Sequence, residues 1–180
     1  MFWSRFRGFT LVELMVVVAI LGVLATVAVF SYKRYMRRAR MQEGVAFLMD
    51  IKMKQETYFA TYSQYVDSGN TVEDFYPPNE SFRPDKIPVA WGWDCSASGL
   101  GQAETAFCAL GLNPAAPETW FQYVTIGWAP GDGTPPSDYI PDPTRRWWLA
   151  RARSYWDSAG NLPVEMRFSS QMSEISEFLP

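Results

Sequence analysis

The chain contains no histidine. That absence removes Ser-His-Asp and Cys-His catalysis and every metal site built on imidazole, so an enzyme is not expected. Cysteine is scarce, with Cys95 and Cys108 the only two. Neither proline nor glycine falls between residues 23 and 43, so nothing there breaks a helix. Acidic residues are missing from residues 33–40 (KRYMRRAR), which hold five basic groups. From Met41 onward the balance reverses to nine basic and 18 acidic residues, a net charge of −9, although the whole 180-residue chain carries only −3. An acidic C-terminal part argues against a general nucleic-acid surface. The sequence has no internal repeat, and its length is that of one domain.

The most informative stretch runs from Gly8 to Phe30, GFTLVELMVVVAILGVLATVAVF. After the glycine it offers about 22 apolar residues, enough helix to cross roughly 30 Å of hydrocarbon. One ionisable residue, Glu13, interrupts it. A carboxylate within a membrane span persists only where it has a partner or a task. A short basic leader, MFWSRFRG, precedes the run. A cut between Gly8 and Phe9 would create an α-amino cation about one helical turn from Glu13, which suggests charge neutralisation between neighbouring copies. An ordinary secretory signal fits less well, because the apolar run is too long and no A-x-A-like site follows.

Gly8-Phe9-Thr10-Leu11-Val12-Glu13-Leu14, followed by MVVVAILGVLA, resembles the class III signal and transmembrane start of type IV pilins and type II secretion pseudopilins. The resemblance implies cleavage after Gly8 by a prepilin peptidase, N-methylation of Phe9, and pairing of Glu13 with the Phe9 amine of an adjacent subunit. It implies residues 1–8 as leader, 9–30 as transmembrane and filament-core helix, and 31–180 as an exported head. The partners it implies are other pilin subunits, the peptidase, an inner-membrane assembly platform and the membrane itself; no cofactor is expected. Localisation would be the inner membrane as precursor, then an extracellular or periplasm-spanning filament at the cell surface. Counted alone, Arg5 and Arg7 before the span against Lys33, Arg34, Arg37, Arg38 and Arg40 after it would keep the C-terminal side in the cytoplasm. The resemblance implies the opposite orientation. Many major pilins carry a proline where this chain has Phe30, and the kink it causes is not expected here.

In an exported head, Cys95 and Cys108 are expected to form one disulfide, worth roughly 3 kcal/mol in the chain-entropy picture. Unpaired thiols in a cytosolic domain are the alternative. The fold expected is α+β and pilin-like: a long N-terminal helix, membrane half then amphipathic half, packed on a small antiparallel sheet. Helix formers continue to about Tyr62. Phe47, Leu48, Ile51, Tyr58, Phe59 and Tyr62 share about a third of the helix circumference and are expected beneath the sheet. Tyr35, Ala39, Ala46, Met49, Met53 and Ala60 form a second stripe, either a filament contact or more core. Residues 63–118 read as a long irregular connection, with GLGQAETAFCAL a candidate short helix. Residues 119–180 read as the sheet: strands over Trp120–Trp128, Arg146–Trp156 and Leu162–Ser169, a DSAGN turn between the last two, and a tail that adds a short edge strand or lies loose.

Two further constellations stand out. Asp132, Asp138 and Asp142 cluster in PGDGTPPSDYIPDP and could serve a calcium loop, but no EF-hand spacing is present and a solvated turn is the simpler reading. Arg145, Arg146, Arg151 and Arg153 interleave with Trp147, Trp148, Tyr155 and Trp156, a pattern that can bind single-stranded nucleic acid or carbohydrate by stacking. The simpler reading is strand alternation with outward arginines paired to acids. The functional expectation is a type IV pilus-like filament subunit. A secretion pseudopilin and a membrane-anchored binding protein that never polymerises are the alternatives.

Overall fold

The computed structural model describes residues 9–78, 88–113, 116–129, 140, 142, 144–155 and 163–178. Two compact units divide the chain, Met1–Arg40 and Met41–Pro180. Helix α1 (Leu11–Tyr62) supplies residues to both and ends where the helix formers end.

Among the described residues of the first unit, all from Leu11 onward are helical. Its apolar residues are uniformly exposed, from Leu11 (73%) to Phe30 (75%). The segment is long and apolar enough to cross a membrane, and none of that window is buried. A helix apolar on all sides is stable only in an apolar surrounding or among partner helices. Its one mid-span hydroxyl is satisfied internally, Thr26 Oγ1 donating to the Val23 carbonyl at 2.7 Å.

In the second unit, β3 (Gln122–Trp128), β4 (Trp147–Tyr155), β5 (Pro163–Ser169) and β6 (Ser176–Phe178) form an antiparallel meander in chain order. The tail therefore contributes an edge strand. Both long strands alternate as expected, but both faces are covered. Tyr123, Trp148, Ala150, Ala152, Met166 and Phe168 lie in one core with Phe47, Leu48 and Ile51 of α1. Small residues at 150 and 152 leave room for the helix, and Gly44 sits so close that a Cβ there would meet Met166 and Phe121. Tyr58 and Phe59 are half-buried, while Tyr62 is 60% exposed. The second stripe stays exposed: Ala46, Met49, Met53 and Ala60 in this unit, Tyr35 and Ala39 in the first. It is therefore not core of this chain.

Residues 63–118 are far more ordered than their composition suggests. From Asp67 to Tyr76 the chain runs along the free edge of β3. Tyr76 exchanges both backbone hydrogen bonds with Tyr123 (2.7 and 2.8 Å). Ser68 accepts from Thr125 N–H through Oγ and donates its own N–H to the Thr125 carbonyl, both at 2.8 Å. The Asp67 carboxylate takes the Gly127 N–H. An edge strand's open donors and acceptors are thus occupied within the head. Phe75 packs on Val124 and Ile126, on the face away from α1.

Farther on, β1 (Val89–Ala90) pairs with β2 (Glu118–Thr119), and α2 (Gln102–Leu110) lies between them in sequence. Glu104 caps α2 by accepting the Gly101 N–H (2.6 Å), and Gly111 closes it at φ 66°, a left-handed conformation that glycine adopts freely. Cys108 on α2 is disulfide-bonded to Cys95. Trp91 and Trp93 stack edge-on (5.5 Å) and pack against the core that contains Phe107. The Tyr76 hydroxyl donates to Glu104 (3.1 Å); burial and the Glu104 carboxylate push its pKa up to about 12.

The side chain that ties helix, loop and sheet together is Gln55, which is fully buried. Its Nε2 donates to the Val66 carbonyl (2.8 Å) and to Thr125 Oγ1 (2.9 Å), and its Oε1 accepts the Val66 N–H (3.0 Å). Gln55→Ala leaves those groups unpaired and should lower stability by about 2 kcal/mol. In urea unfolding, the midpoint should fall with the slope unchanged, whereas a surface change such as Met53→Ala should stay within about 0.5 kcal/mol.

Candidate assembly site and the covered face of the head

Thr10 and Glu13 form a reciprocal cap at the start of α1. The Thr10 N–H donates to Glu13 Oε2 (2.9 Å), the Glu13 N–H donates to Thr10 Oγ1 (3.2 Å), and the Thr10 hydroxyl also donates to Glu13 Oε2 (2.7 Å). T-x-x-E is the sequence signature of a capping box, and it is legible in Thr10-Leu11-Val12-Glu13. Glu13 is therefore not a bare charge on an apolar helix. It is turned toward the helix start and held there, with Oε2 on the amide one residue after Phe9. An acid in the first turn also meets the positive end of the helix dipole. Phe9 is 77% exposed. Gly8, with Arg5 and Arg7, lies outside the described residues.

In the arginine–aromatic stretch the expected pairing of arginines to acids is present, whereas the stacking surface is not. Trp147 and Trp148 are 1% and 0% exposed, on opposite faces of β4, so neither offers a stacking platform. Arg151 is not outward in solvent either, at 7% exposed. It binds Glu165 through Nε and Glu73 through Nη1, each at 2.5 Å, and Nη1 also donates to the Val72 carbonyl. Burial works against its charge, but the hydrogen bonds it donates to Glu165 and Glu73 outweigh it and raise its pKa above the ordinary value. Arg153 pairs with Glu73 (3.3 Å) and lies 3.9 Å over the Phe75 ring, and Arg167 pairs with Glu165. Loop residues 72–75 thus neutralise what alternation alone would leave as a cationic strip. Arg145 and Arg146 remain exposed. Trp156 lies outside the described residues, as do Asp132 and Asp138. Asp142 accepts the Thr144 N–H and hydroxyl in a local turn, and these bonds, with the Arg145 charge, lower its pKa. Among the described residues no group of acids, cysteines or histidines is arranged to hold a metal.

Comparison with known proteins converges on the N-terminal half. Residues 3–29 match the family described as the prokaryotic N-terminal methylation motif, and residues 31–83 match the one described as type IV minor pilin ComP, DNA uptake sequence receptor. The chain is 37% identical over 94 residues to the type IV major pilin protein PilA of Myxococcus xanthus, covering 52% of this chain and 42% of that protein. It is 32% identical over 74 residues to PilE1 of Neisseria gonorrhoeae, covering 41% and 45%, respectively. Against the fimbrial protein FimA of Dichelobacter nodosus it is 46% identical over 48 residues, covering 27% and 30%. The N-terminal half of the chain is thus similar to type IV pilins. Its matched stretches span less than half the length of these pilins, and no solved structure matches it. Both family matches end before residue 84, so the pilin signature lies in α1 and the start of the loop, not in the sheet.

The covered face offers a test of the second unit. Glu165 has only 13% of its side chain exposed, whereas Glu73 has 59%. Removing the more buried partner strands Arg151, so Glu165→Gln should destabilise the head by about 3 kcal/mol. Glu73→Gln should cost about 1 kcal/mol or less. Chemical denaturation of both variants, at low and high salt, checks the order.

Proposed function

We propose that the chain is a structural subunit of a type IV pilus-like filament, made as a membrane-anchored precursor and cut between Gly8 and Phe9. The observation that carries this reading is the Thr10–Glu13 cap at the start of the exposed apolar stretch of α1 that runs to Phe30. Cleavage at that junction frees the Phe9 amine, which is then methylated and remains cationic. Within one helix, Glu13 is already committed to Thr10 but retains acceptor capacity on its two oxygens. The amine of a neighbouring, staggered helix completes the pair while the apolar faces stay packed against each other. Assembly then moves the apolar surface from lipid to protein without exposing it to water. The peptidase, the inner-membrane platform and the other subunits are the partners this sequence of events needs. The head, residues 31–180, is carried outward to the cell surface.

A pilus is preferred to a secretion pseudopilus because the relatives are named as pilins and fimbrial proteins. The DNA uptake role printed for one matching family is not carried over. The sheet residues that would stack on bases are buried, and the chain from Met41 onward is acidic.

Replacing Gly8 by a bulky residue should leave a precursor that retains MFWSRFRG, whereas the wild-type mature chain should begin at methylated Phe9 by mass spectrometry. Glu13→Leu should still insert and be cut, yet be lost from sheared filaments, since an unpaired buried amine costs roughly 3–5 kcal/mol per contact. Glu13→Gln keeps the cap, because glutamine serves in a capping box, and should be impaired only in part. Wild-type amounts of Glu13→Leu subunit in filaments would falsify the pairing role.

A further inference from the structure

We propose that the cavity between α1 and the segment leading into β2 binds an alkylammonium group, with Asp50 and Glu118 taking the charge and aromatic rings taking the carbon chain. The cavity lies wholly within the second unit and does not depend on filament assembly.

Its volume is about 250 Å³. At about 30 Å³ per water in the liquid, that is room for about eight waters, or for a short carbon chain with a charged end. One wall is α1, where Glu43, Phe47 and Asp50 recur at the spacing of a single helix face. Trp91 holds the segment before β2 in place. Its backbone N–H donates to the Pro117 carbonyl (3.0 Å) and its indole Nε1 to the Ala116 carbonyl (3.1 Å). Phe47, Trp91 and Tyr123 pack on one another in the lining, with ring centroids 4.4 Å apart for Phe47–Tyr123 and 5.2 Å for Trp91–Tyr123.

The charge of the lining is of one sign. Glu43, Asp50 and Glu118 contribute to it, and no lysine or arginine does. Glu43 is already engaged, since it accepts the Thr119 hydroxyl (2.6 Å) and the Trp120 N–H (3.0 Å). The Asp50 and Glu118 carboxylates, the first half-buried and the second exposed, make no hydrogen bond or ion pair among the described residues. A carboxylate partly withdrawn from water without a partner gains most from a cation.

An independent observation comes from Tyr123. The residue is fully buried, it lines the cavity, and its hydroxyl has no hydrogen-bond partner among the described residues. Thr119 lies beside it but donates its hydroxyl proton to Glu43, while its oxygen accepts the Phe121 N–H (3.0 Å). A buried hydroxyl left unpaired is costly, and an occupant of the cavity with a polar end would satisfy it.

Among the described residues no group of acids is arranged to hold a metal ion. Rings beside carboxylates suit an organic cation, whose methylenes pack on the aromatic surface. An ammonium carries three donors, and Asp50, Glu118 and the Tyr123 oxygen are acceptors without partners.

The test is calorimetric titration of pentylamine hydrochloride into the full chain in an uncharged detergent. Binding should saturate with a Kd of about 1 mM or tighter and should weaken in high salt. Pentanol, the neutral molecule of the same length, should bind about tenfold more weakly or worse. Asp50→Asn with Glu118→Gln should weaken pentylamine binding by about tenfold or more. Ala46→Leu places a larger side chain in the lining, leaves every charge unchanged, and should abolish the saturable heat. Glu174→Gln with Glu177→Gln removes as much charge from residues that do not line the cavity, and should leave the affinity as in wild type. The urea midpoint of each variant reports whether it is folded. Nα-Acetyl-lysine methylamide separates the two sources of an alkylammonium. Tighter binding than pentylamine assigns the cavity to a lysine side chain, and weaker binding assigns it to a free amine; either upholds the proposal. Failure of both probes to saturate would overturn it. Pentanol binding as well as pentylamine would do the same, as would an affinity that survives the paired Asp50 and Glu118 change or Ala46→Leu.

Discussion

The head depends on the burial of one short stripe of α1, Phe47, Leu48, Ile51 and Gln55, under the meander. Three of these residues supply apolar surface, which drives association without specifying register. The fourth supplies direction. A buried glutamine with both ends satisfied can be met in only a few ways, and here its partners are the loop backbone at Val66 and the strand hydroxyl of Thr125. Sliding the helix along the sheet would break those bonds and leave polar groups dry, so packing and polar satisfaction select one arrangement together.

From that anchor the chain turns back along β3. The loop from Asp67 to Tyr76 closes the strand's open edge and brings Val72, Glu73 and Phe75 over the face that the helix leaves bare. A four-stranded meander with one helix would ordinarily leave that face wet. Here it holds buried tryptophan, leucine and arginine. Arg151 is accommodated only because Glu73 and Glu165 reach it from two directions, one on the loop and one on the neighbouring strand. The ion-pair cluster is thus a consequence of the loop's course and also ties the loop down.

The first unit answers to a different solvent. Its exposed apolar surface has no counterpart in the head, and its polar groups are either capped locally, as at Thr10 and Thr26, or gathered past the apolar stretch, as at Lys33–Arg40. A carboxylate held by its own helix start is tolerable near hydrocarbon and remains able to receive a further donor. The cap and the proposed intersubunit role are compatible because a carboxylate accepts more than one hydrogen bond.

Much of this was determined by the sequence alone. The apolar run, the Gly8-Phe9 junction and Glu13 carried the resemblance to type IV pilins, and the end of α1 at Tyr62 followed from where helix formers give way to turn residues. Side-chain direction in a strand is local geometry, which is why the alternation of β4 sets Trp148, Ala150 and Ala152 on one face and Trp147, Leu149 and Arg151 on the other. Alternation does not say what covers each face. That Arg151 is buried, that Gln55 is a core residue, and that residues 67–76 act as part of the sheet were decided only by tertiary structure. These contacts join residues 11 to 79 positions apart, and no local pattern encodes which acid will meet which arginine. The helix and strands follow from short-range periodicity, whereas the loop's course and the buried charges follow from which surfaces the folded chain has left to satisfy.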